Sequence, residues 1–291
     1  MNKVKSTKCS EFPSQVREKA IVYMVAGLSS RFGGKIKQFA QIGPNNETLI
    51  EYSVNQAISA GFTKIIFIVG EKTEEGFKGL FKDSYHNLPV YYAYQGFNPE
   101  LRDKPWGTTD ALCCAKEIIN CPFVVCNGDD IYGKNTFKVL ADHLDKNDKE
   151  AATIGYKLVE VLPENGKVNR GIFQIENGYV KKITETFNIT KANLNELSLN
   201  KNNLCSQNIF ALYPDTLKIL YEKSEAEKKL YPNDRKKELL LPVYLSDLAS
   251  TEKIRIKVYN TPDKWFGVTN PEDEEIVRAE IKKLHLNNPS H

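Results

Sequence analysis

No stretch of this chain is apolar for the length a bilayer crossing needs, and the N-terminal segment Met1 to Lys19 is polar and lysine-rich, with no apolar signal core. The sequence therefore predicts no membrane association and a cytoplasmic location, where thiols stay reduced. Charge of one sign is also scarce: 40 basic residues against 37 acidic ones leave a formal net charge of +3 across 291 residues. A field that weak argues for neither nucleic acid nor a membrane surface as a partner, while small anionic substrates remain open through local basic groups. The six cysteines (Cys9, Cys113, Cys114, Cys121, Cys126 and Cys205) lack paired metal-site spacing, and most lie in apolar runs, so they read as reduced core residues. None of the four histidines, His86, His143, His285 and His291, falls in a motif. Internal repeats and low-complexity tracts are missing as well.

What is there is ordinary globular composition, 41% hydrophobic and 26% charged, which excludes a mostly disordered or fibrous chain. One domain is expected over 20–284, between a polar segment 1–19 and a tail 285–291. Ala20 to Ala26 (AIVYMVA) is a short apolar run bounded by Gly27, the pattern of a strand buried on both faces. Helical and strand patterns then alternate: Thr48 to Ala60, Lys64 to Val69, Thr73 to Lys82, Val90 to Tyr94, Thr108 to Ile119 and Pro122 to Cys126. Such alternation implies right-handed crossovers and a mainly parallel sheet with helices on both faces, and places function at the carboxyl ends of the strands.

Beyond Glu150 the pattern loosens into shorter strands, Ala152 to Lys157, Ile172 to Glu176, Tyr179 to Thr184 and Ile209 to Tyr213. The pairs Asn165-Gly166 and Asn177-Gly178 read as hairpin turns, so 151–284 is expected to add antiparallel strands that wall a second substrate beside a nucleotide-binding half, 20–150. Asn188 to Asn203 is asparagine-rich and reads as a mobile loop. Glu222 to Glu238 reads as a solvated helix and loop.

Three motifs carry chemistry. Ala26-Gly27-Leu28-Ser29-Ser30-Arg31-Phe32-Gly33-Gly34-Lys35-Ile36-Lys37-Gln38 follows the first strand. Its glycines would let backbone N–H groups approach phosphate oxygens while Arg31 and a lysine oppose triphosphate charge. It lacks both the terminal Gly-Lys-Ser/Thr of a Walker loop and the spacing of a dinucleotide fingerprint. A second motif, Asn127-Gly128-Asp129-Asp130-Ile131-Tyr132-Gly133, ends the fourth strand, where adjacent acids suit Mg²⁺ on a triphosphate. The alternative is an Asp-rich turn capping the helix that begins near Asn135. In the third, Lys104 to Asp110, Gly107 and Thr108 could accept a base or ribose, although Thr108 or Thr109 could equally be a helix cap.

Taken together these segments resemble the nucleoside-diphosphate-sugar pyrophosphorylases, or sugar-phosphate nucleotidyltransferases, particularly a bacterial subgroup related to glucose-1-phosphate uridylyltransferases. The likeness extends through Lys167 to Gly171, Ile183 to Thr186, Cys205 to Pro214 and Lys264 to Thr269, nearly the whole chain from Ala20. It implies a Rossmann-like, GT-A-like α/β fold with an antiparallel acceptor-side extension. It further implies an NTP and a phosphorylated small molecule as partners, a sugar 1-phosphate or, with CTP as donor, a non-sugar phosphate. A homo-oligomer stays open. On the donor side, the resemblance assigns the phosphates to Ala26, Gly27, Leu28, Ser29 and Ser30, the leaving pyrophosphate to Arg31 and Lys37, and the base side to Gln95, Gly107 and Thr108. Asn127 and Gly128 complete the nucleotide site, and Asp129 is the Mg²⁺ ligand with Asp130 beside it. On the acceptor side it assigns Asp130, Gly171, Glu185 and Asn208.

The chain also departs from the pattern. Many relatives have Glu-Lys where Glu185-Thr186 stands, so the lysine expected to meet the acceptor phosphate is absent, and Lys264 is the candidate replacement. Gly267 and Val268 stand where many relatives carry a second metal aspartate.

Overall fold

The computed structural model describes residues 17–27, 36–146, 149–164, 166–268 and 273–287. Its first half alternates strand and helix: β1 (Ala20–Met24), α1 (Leu49–Ser59), β2 (Lys64–Val69), α2 (Glu74–Phe81), β3 (Ser84–Tyr85), β4 (Leu88–Tyr94), α3 (Thr108–Cys114), β5 (Phe123–Asn127), β6 (Asp130–Ile131) and α4 (Lys134–Asp145). The second half contains β7 (Ala151–Ile154), β8 (Tyr156–Lys157), β9 (Val168–Glu176), β10 (Tyr179–Ile189), β11 (Leu204–Cys205), β12 (Phe210–Leu212), α5 (Pro214–Leu230), α6 (Leu241–Ser250), β13 (Ile256–Tyr259), β14 (Phe266–Gly267) and α7 (Asp273–Asn287).

Twelve strands form one sheet in the order β3-β4-β2-β1-β5-β12-β7-β13-β10-β9-β11-β8, and β14 pairs with β6 beside it. The first half is parallel, β4 with β2, β2 with β1 and β1 with β5. Most of the second half is antiparallel, so the expected α/β architecture with its antiparallel extension is what the chain adopts. Alternate side chains of β1 explain the two layers. Ile21 and Tyr23 join Ile50, Val54 and Leu140, from α1 and α4, on one face. Ala20 and Val22 join Leu112, Leu217 and Leu245, from α3, α5 and α6, on the other.

Local chemistry sets the element ends. Thr48 caps α1 reciprocally with Glu51, and Gly61, with φ +99°, ends it. Asn177 (φ +52°) and Gly178 (φ +80°) turn β9 into β10, as expected of this pair. Several expectations are corrected. The Asn165-Gly166 pair, of which Asn165 lies outside the described residues, makes no hairpin, because β11 sits between β8 and β9. Ala152 to Lys157 is broken at Gly155, whose missing side chain leaves room for Leu204 and Val258, so β7 and β8 pair with different partners. The Asn188 to Asn203 segment is held by its own polar side chains, Asn193 to the Asn188 carbonyl at 2.9 Å and Asn203 to the Asn200 amide at 2.7 Å. Its Leu194, Leu197 and Leu199 pack on the core. Among the described cysteines, Cys113, Cys121, Cys126 and Cys205 are buried but Cys114 is exposed, since neighbouring residues on a helix cannot both face the sheet. No helix among the described residues is long and apolar enough to cross a membrane.

Phe67 of β2 is the hub of the α2-side core, with ring centroids 5.8 Å from Tyr23, 5.0 Å from Phe77, 4.6 Å from Phe81 and 6.0 Å from Tyr92. Phe67→Ala is expected to cost about 3–5 kcal/mol, the loss of a large buried ring plus the cavity it leaves. An unchanged denaturation midpoint in urea would contradict this placement.

Candidate active site

The parallel pairing of β1 with β5 brings the loops that leave both strands together at their carboxyl ends. The Gly128 N–H donates to the Met24 carbonyl at 3.1 Å, and a side chain at Gly128 would sit 2.2 Å from Val25, so only glycine lets these loops cross. Ala26 and Gly27 therefore emerge beside Asn127 and Gly128, and no atom of the described residues lies within 4 Å of where a Cβ on Gly27 would stand. Leu28, Ser29, Ser30 and Arg31 lie outside the described residues, as do Gly33, Gly34 and Lys35. The chain returns at a 3₁₀ turn, Lys37–Phe39, and there the Lys37 ammonium forms an ion pair with the Asp129 carboxylate. The two residues, distant in sequence, are thus brought together.

Asp130, the neighbouring acid, is buried. Its Oδ2 accepts from Asn127 Nδ2 at 2.9 Å and lies 3.1 Å from the Tyr132 hydroxyl, which also lies 2.7 Å from the Gln207 carbonyl and accepts from the Asn127 N–H at 3.2 Å. Burial, reinforced by the adjacent Asp129 charge, pushes the Asp130 carboxyl up to about 7, while the bonds from Asn127 and Tyr132 and the charge of Lys37 oppose that rise. The capping alternative for this acidic pair is corrected. Asp263, far along the chain, caps α4 by accepting the Thr136 N–H at 2.9 Å, and Gly133 leaves space for it. Asp129 and Asp130 are consequently not spent on the helix.

On the acceptor side, antiparallel β12 starts where β5 ends, so Asn208 meets Asn127, donating from Nδ2 to Oδ1 at 2.7 Å. The Asn208 N–H donates to Ser206 Oγ at 3.0 Å, and the Ser206 N–H donates to the Gly171 carbonyl at 2.8 Å. Gly171 and Glu185 are directly opposed in the β9–β10 register. Gly171, Glu185 and Asn208 are thus assembled on one continuous patch. Burial raises the Glu185 carboxyl, with the Arg170 charge opposing it. Lys264 is turned elsewhere: its side chain is 71% exposed and its ammonium lies 3.8 Å from Glu280 on α7. Directly across from Thr186 stands Arg170, a residue with no role in the sequence reading. Across from Asp130 stands Gly267, and a Cβ there would meet the Trp265 ring at 2.5 Å and Asp130 Oδ1 at 3.2 Å. A second carboxylate at that position is therefore sterically excluded.

The residues expected on the base side have partners within the fold. Buried Gln95 donates from Nε2 to the Gly107 carbonyl at 3.0 Å and to Asp110 Oδ2 at 2.9 Å, and Asp110 in turn pairs with Lys228 of α5 at 2.5 Å. Neither threonine caps α3. Gly107 is its N-cap, with φ +98°, while the Thr108 hydroxyl accepts the Leu241 N–H at 2.9 Å. A Cβ at Gly107 would stand 2.9 Å from the Leu239 amide nitrogen, so this glycine is required by the 238–241 segment. The tail of the supposedly solvated stretch is in fact a strap. Buried Arg102, stacked 3.4 Å over the Trp106 ring, donates to the carbonyls of Asp234 at 2.9 Å and Lys237 at 2.5 Å. Arg102 gave no motif signal, and Trp106, though inside the Lys104 to Asp110 motif, was given no role; an arginine just before Pro105-Trp106-Gly107 was the available cue.

Residues 34–239, more than half of the chain, match the nucleotidyl transferase family. The chain belongs to that family. The low-salt glycan biosynthesis nucleotidyltransferase Agl11 of Haloferax volcanii is 30% identical to this nucleotidyl transferase over 112 residues, 36% of this chain but only 29% of that relative. A UDP-glucose pyrophosphorylase solved with UDP-glucose shares 19% identity with a TM-score of 0.64, over 92% of this chain and 99% of that one. The inositol-1-phosphate CTP transferase of T. maritima shares 14% identity with a TM-score of 0.64, over 92% and 97%. These two likenesses show the fold. In this nucleotidyl transferase no group of three or more His, Cys, Asp or Glu side chains is placed to hold a metal among the described residues. A partly open Asp129 still fits Mg²⁺, which commonly takes one or two carboxylates and completes its shell with substrate phosphates and water.

Tyr132→Phe is expected to cost about 1–3 kcal/mol, because the Asn127 N–H, the Gln207 carbonyl and Asp130 would lose a buried partner while the ring still fits. Thermal denaturation of the purified variant measures this, and a wild-type midpoint would show that the hydroxyl is dispensable.

Proposed function

We propose that this nucleotidyl transferase moves a nucleoside monophosphate from an NTP to a phosphorylated small molecule, a sugar 1-phosphate, and releases pyrophosphate. The observation that carries the reading is the meeting of two distinct sites at the ends of β1 and β5. A glycine-bordered loop end with the Lys37–Asp129 pair lies on one side, and the Gly171–Glu185–Asn208 patch joined to it through Asn127 lies on the other. The domain reading follows, with 20–150 holding the nucleotide and 151–284 the acceptor.

In this mechanism an oxygen of the acceptor phosphate forms a bond to the α-phosphorus of the NTP. The bond from that phosphorus to the bridging oxygen breaks, and the electron pair leaves with pyrophosphate. A phosphate nucleophile is already anionic, so no base is needed, and catalysis rests on alignment and charge. Mg²⁺, held by Asp129, would neutralise triphosphate oxygens. Lys37 would exchange its carboxylate partner for a phosphate oxygen when the triphosphate arrives, leaving the Asp129 carboxylate open. Arg31, in the loop outside the described residues, adds a second cation against the leaving group. Ala26, Gly27, Leu28, Ser29 and Ser30 contribute backbone toward the phosphates. Gln95, Gly107 and Thr108 set the base end through the strap they anchor. The buried thiols fit reducing, cytoplasmic surroundings.

A CTP-dependent transfer to a non-sugar phosphate is the second reading, supported by Thr186 and Gly267, where the groups expected of sugar-specific relatives are missing.

A pyrophosphate-release screen crossing four nucleoside triphosphates with a panel of sugar 1-phosphates and non-sugar phosphates decides between them. Release confined to sugar 1-phosphates is expected, and release with non-sugar phosphates alone would select the second reading. No release with any pair would reject transfer altogether. With the active pair, Asp129→Ala and Lys37→Ala are expected to lower kcat by about a hundredfold or more, the scale seen when one preorganised charge partner is removed. EDTA is expected to abolish turnover and added Mg²⁺ to restore it.

A further inference from the structure

The contacts around the acceptor patch close into a circuit that the reaction above uses only in part. From Asp130 one branch runs through Asn127, Asn208 and Ser206 to Gly171, with each step a hydrogen bond. The other runs across Gly267 to the Trp265 ring, and the Arg170 guanidinium lies 5.2 Å from that ring's centroid. Arg170 and Gly171 are consecutive on β9 and stand opposite Thr186 and Glu185 of β10, so both branches end on this strand pair. Three atoms on this circuit are buried without a hydrogen-bond partner: Arg170 Nε, Trp265 Nε1 and Asn208 Oδ1. Two donors and one acceptor left unmade on a single circuit are costly unless a polar ligand meets them.

We propose that the Arg170 guanidinium, seated against the Trp265 ring, binds the phosphate of the phosphorylated acceptor. The inference rests on the two-substrate reading above and names the cation that reading lacks on the acceptor side.

Such an acceptor brings negative charge into a site that already holds Asp129, Asp130 and Glu185, so a cation has to oppose it. Lys37 is engaged with Asp129, and Lys264 faces Glu280 in solvent. Arg170 acts in this region already, since its charge opposes the burial-driven rise of both the Glu185 carboxyl and the Cys205 thiol. Of its N–H groups, one on Nη1 goes to the Asn169 carbonyl at 3.0 Å and one on Nη2 to the Val161 carbonyl at 3.4 Å, while Nε–H has no partner. A guanidinium has five N–H donors in a planar fork that suits phosphate oxygens, and stacking on an aromatic face leaves its in-plane donors available.

Wild type, Arg170→Ala and Arg170→Lys test this in two ways. With the triphosphate and acceptor pair found by the screen, Arg170→Ala is expected to raise the acceptor KM about tenfold or more, the loss of a charge-assisted contact. The triphosphate KM is expected to stay within about twofold, and Arg170→Lys to recover part of the loss. An unchanged acceptor KM, or an equal rise in both KM values, overturns the proposal. Independently of turnover, tryptophan fluorescence is titrated with inorganic phosphate. A saturable change in wild type that is absent in Arg170→Ala is expected, because Trp265 adjoins the bound anion. No change in wild type, or the same change in the variant, overturns it. Circular dichroism checks the fold of each variant, and Arg170→Gln replaces the alanine variant if that one does not fold. The second arm reads phosphate binding even where the screen finds no active pair, so failure of the transfer reaction and failure of the Arg170 assignment are told apart.

Discussion

A carboxylate removed from water has to find hydrogen bonds or give up its charge, and Asp130 is where this protein meets that constraint. The Asn127 amide and the Tyr132 hydroxyl are spent on it, and through those groups it reaches Gln207 and Asn208. Its other oxygen abuts the β14 backbone at Gly267, where no larger residue fits beside Trp265. The ends of β5, β12 and β14 are therefore fixed relative to one another by one buried group. Asp129 differs from it by position alone. One residue earlier in the chain, it is half-open and ion-paired with Lys37. Two adjacent acids thus differ in burial and partners according to what surrounds each.

The sheet supplies the frame for this division. Parallel strands around β1 end together and deliver the phosphate-side loops to one edge, as crossover connections require. Antiparallel β12, inserted between β5 and β7, reverses the chain so that the residue preceding it, Asn208, arrives at the same edge. Without that insertion the Gly171–Glu185–Asn208 patch and the end of β5 would share no hydrogen bond through Asn127. A second tie runs on the opposite flank, where Arg102 and Arg235 hold the strap after α5 against the 99–107 loop. Arg102 carries the more weight of the two, because it is buried and satisfies several carbonyls, whereas the Arg235–Asp103 pair is exposed and worth little by itself.

Much of the parallel half was legible before any coordinates. The AIVYM and KIIFIV runs read as doubly buried strands because such strands carry no polar face, and the Thr48-to-Gly61 helix announces both of its ends. Lys37 and Asp129 were legible as chemistry, since glycines, cations and paired acids at strand ends have few other uses. The second half was less so. Two-residue strands such as β8, β11 and β14 are too short to show a period, and α6 and β13 carried no motif that set them apart. The asparagine-rich segment looked featureless because its order comes from side chains bonding back to the backbone, a pattern invisible to hydrophobic periodicity.

The sequence by itself determined that the chain builds an α/β sheet, which residues form its central strands, and that paired acids follow the fourth of them. Those are local facts, written in runs of neighbouring residues. Only the tertiary structure decided that Asp263 caps α4, that Trp265 closes over Gly267, that Lys264 faces Glu280 and that Arg170 lies over the Trp265 ring. Each of those depends on strand register and order across the sheet, where residues far apart in the chain become neighbours for reasons no single segment contains.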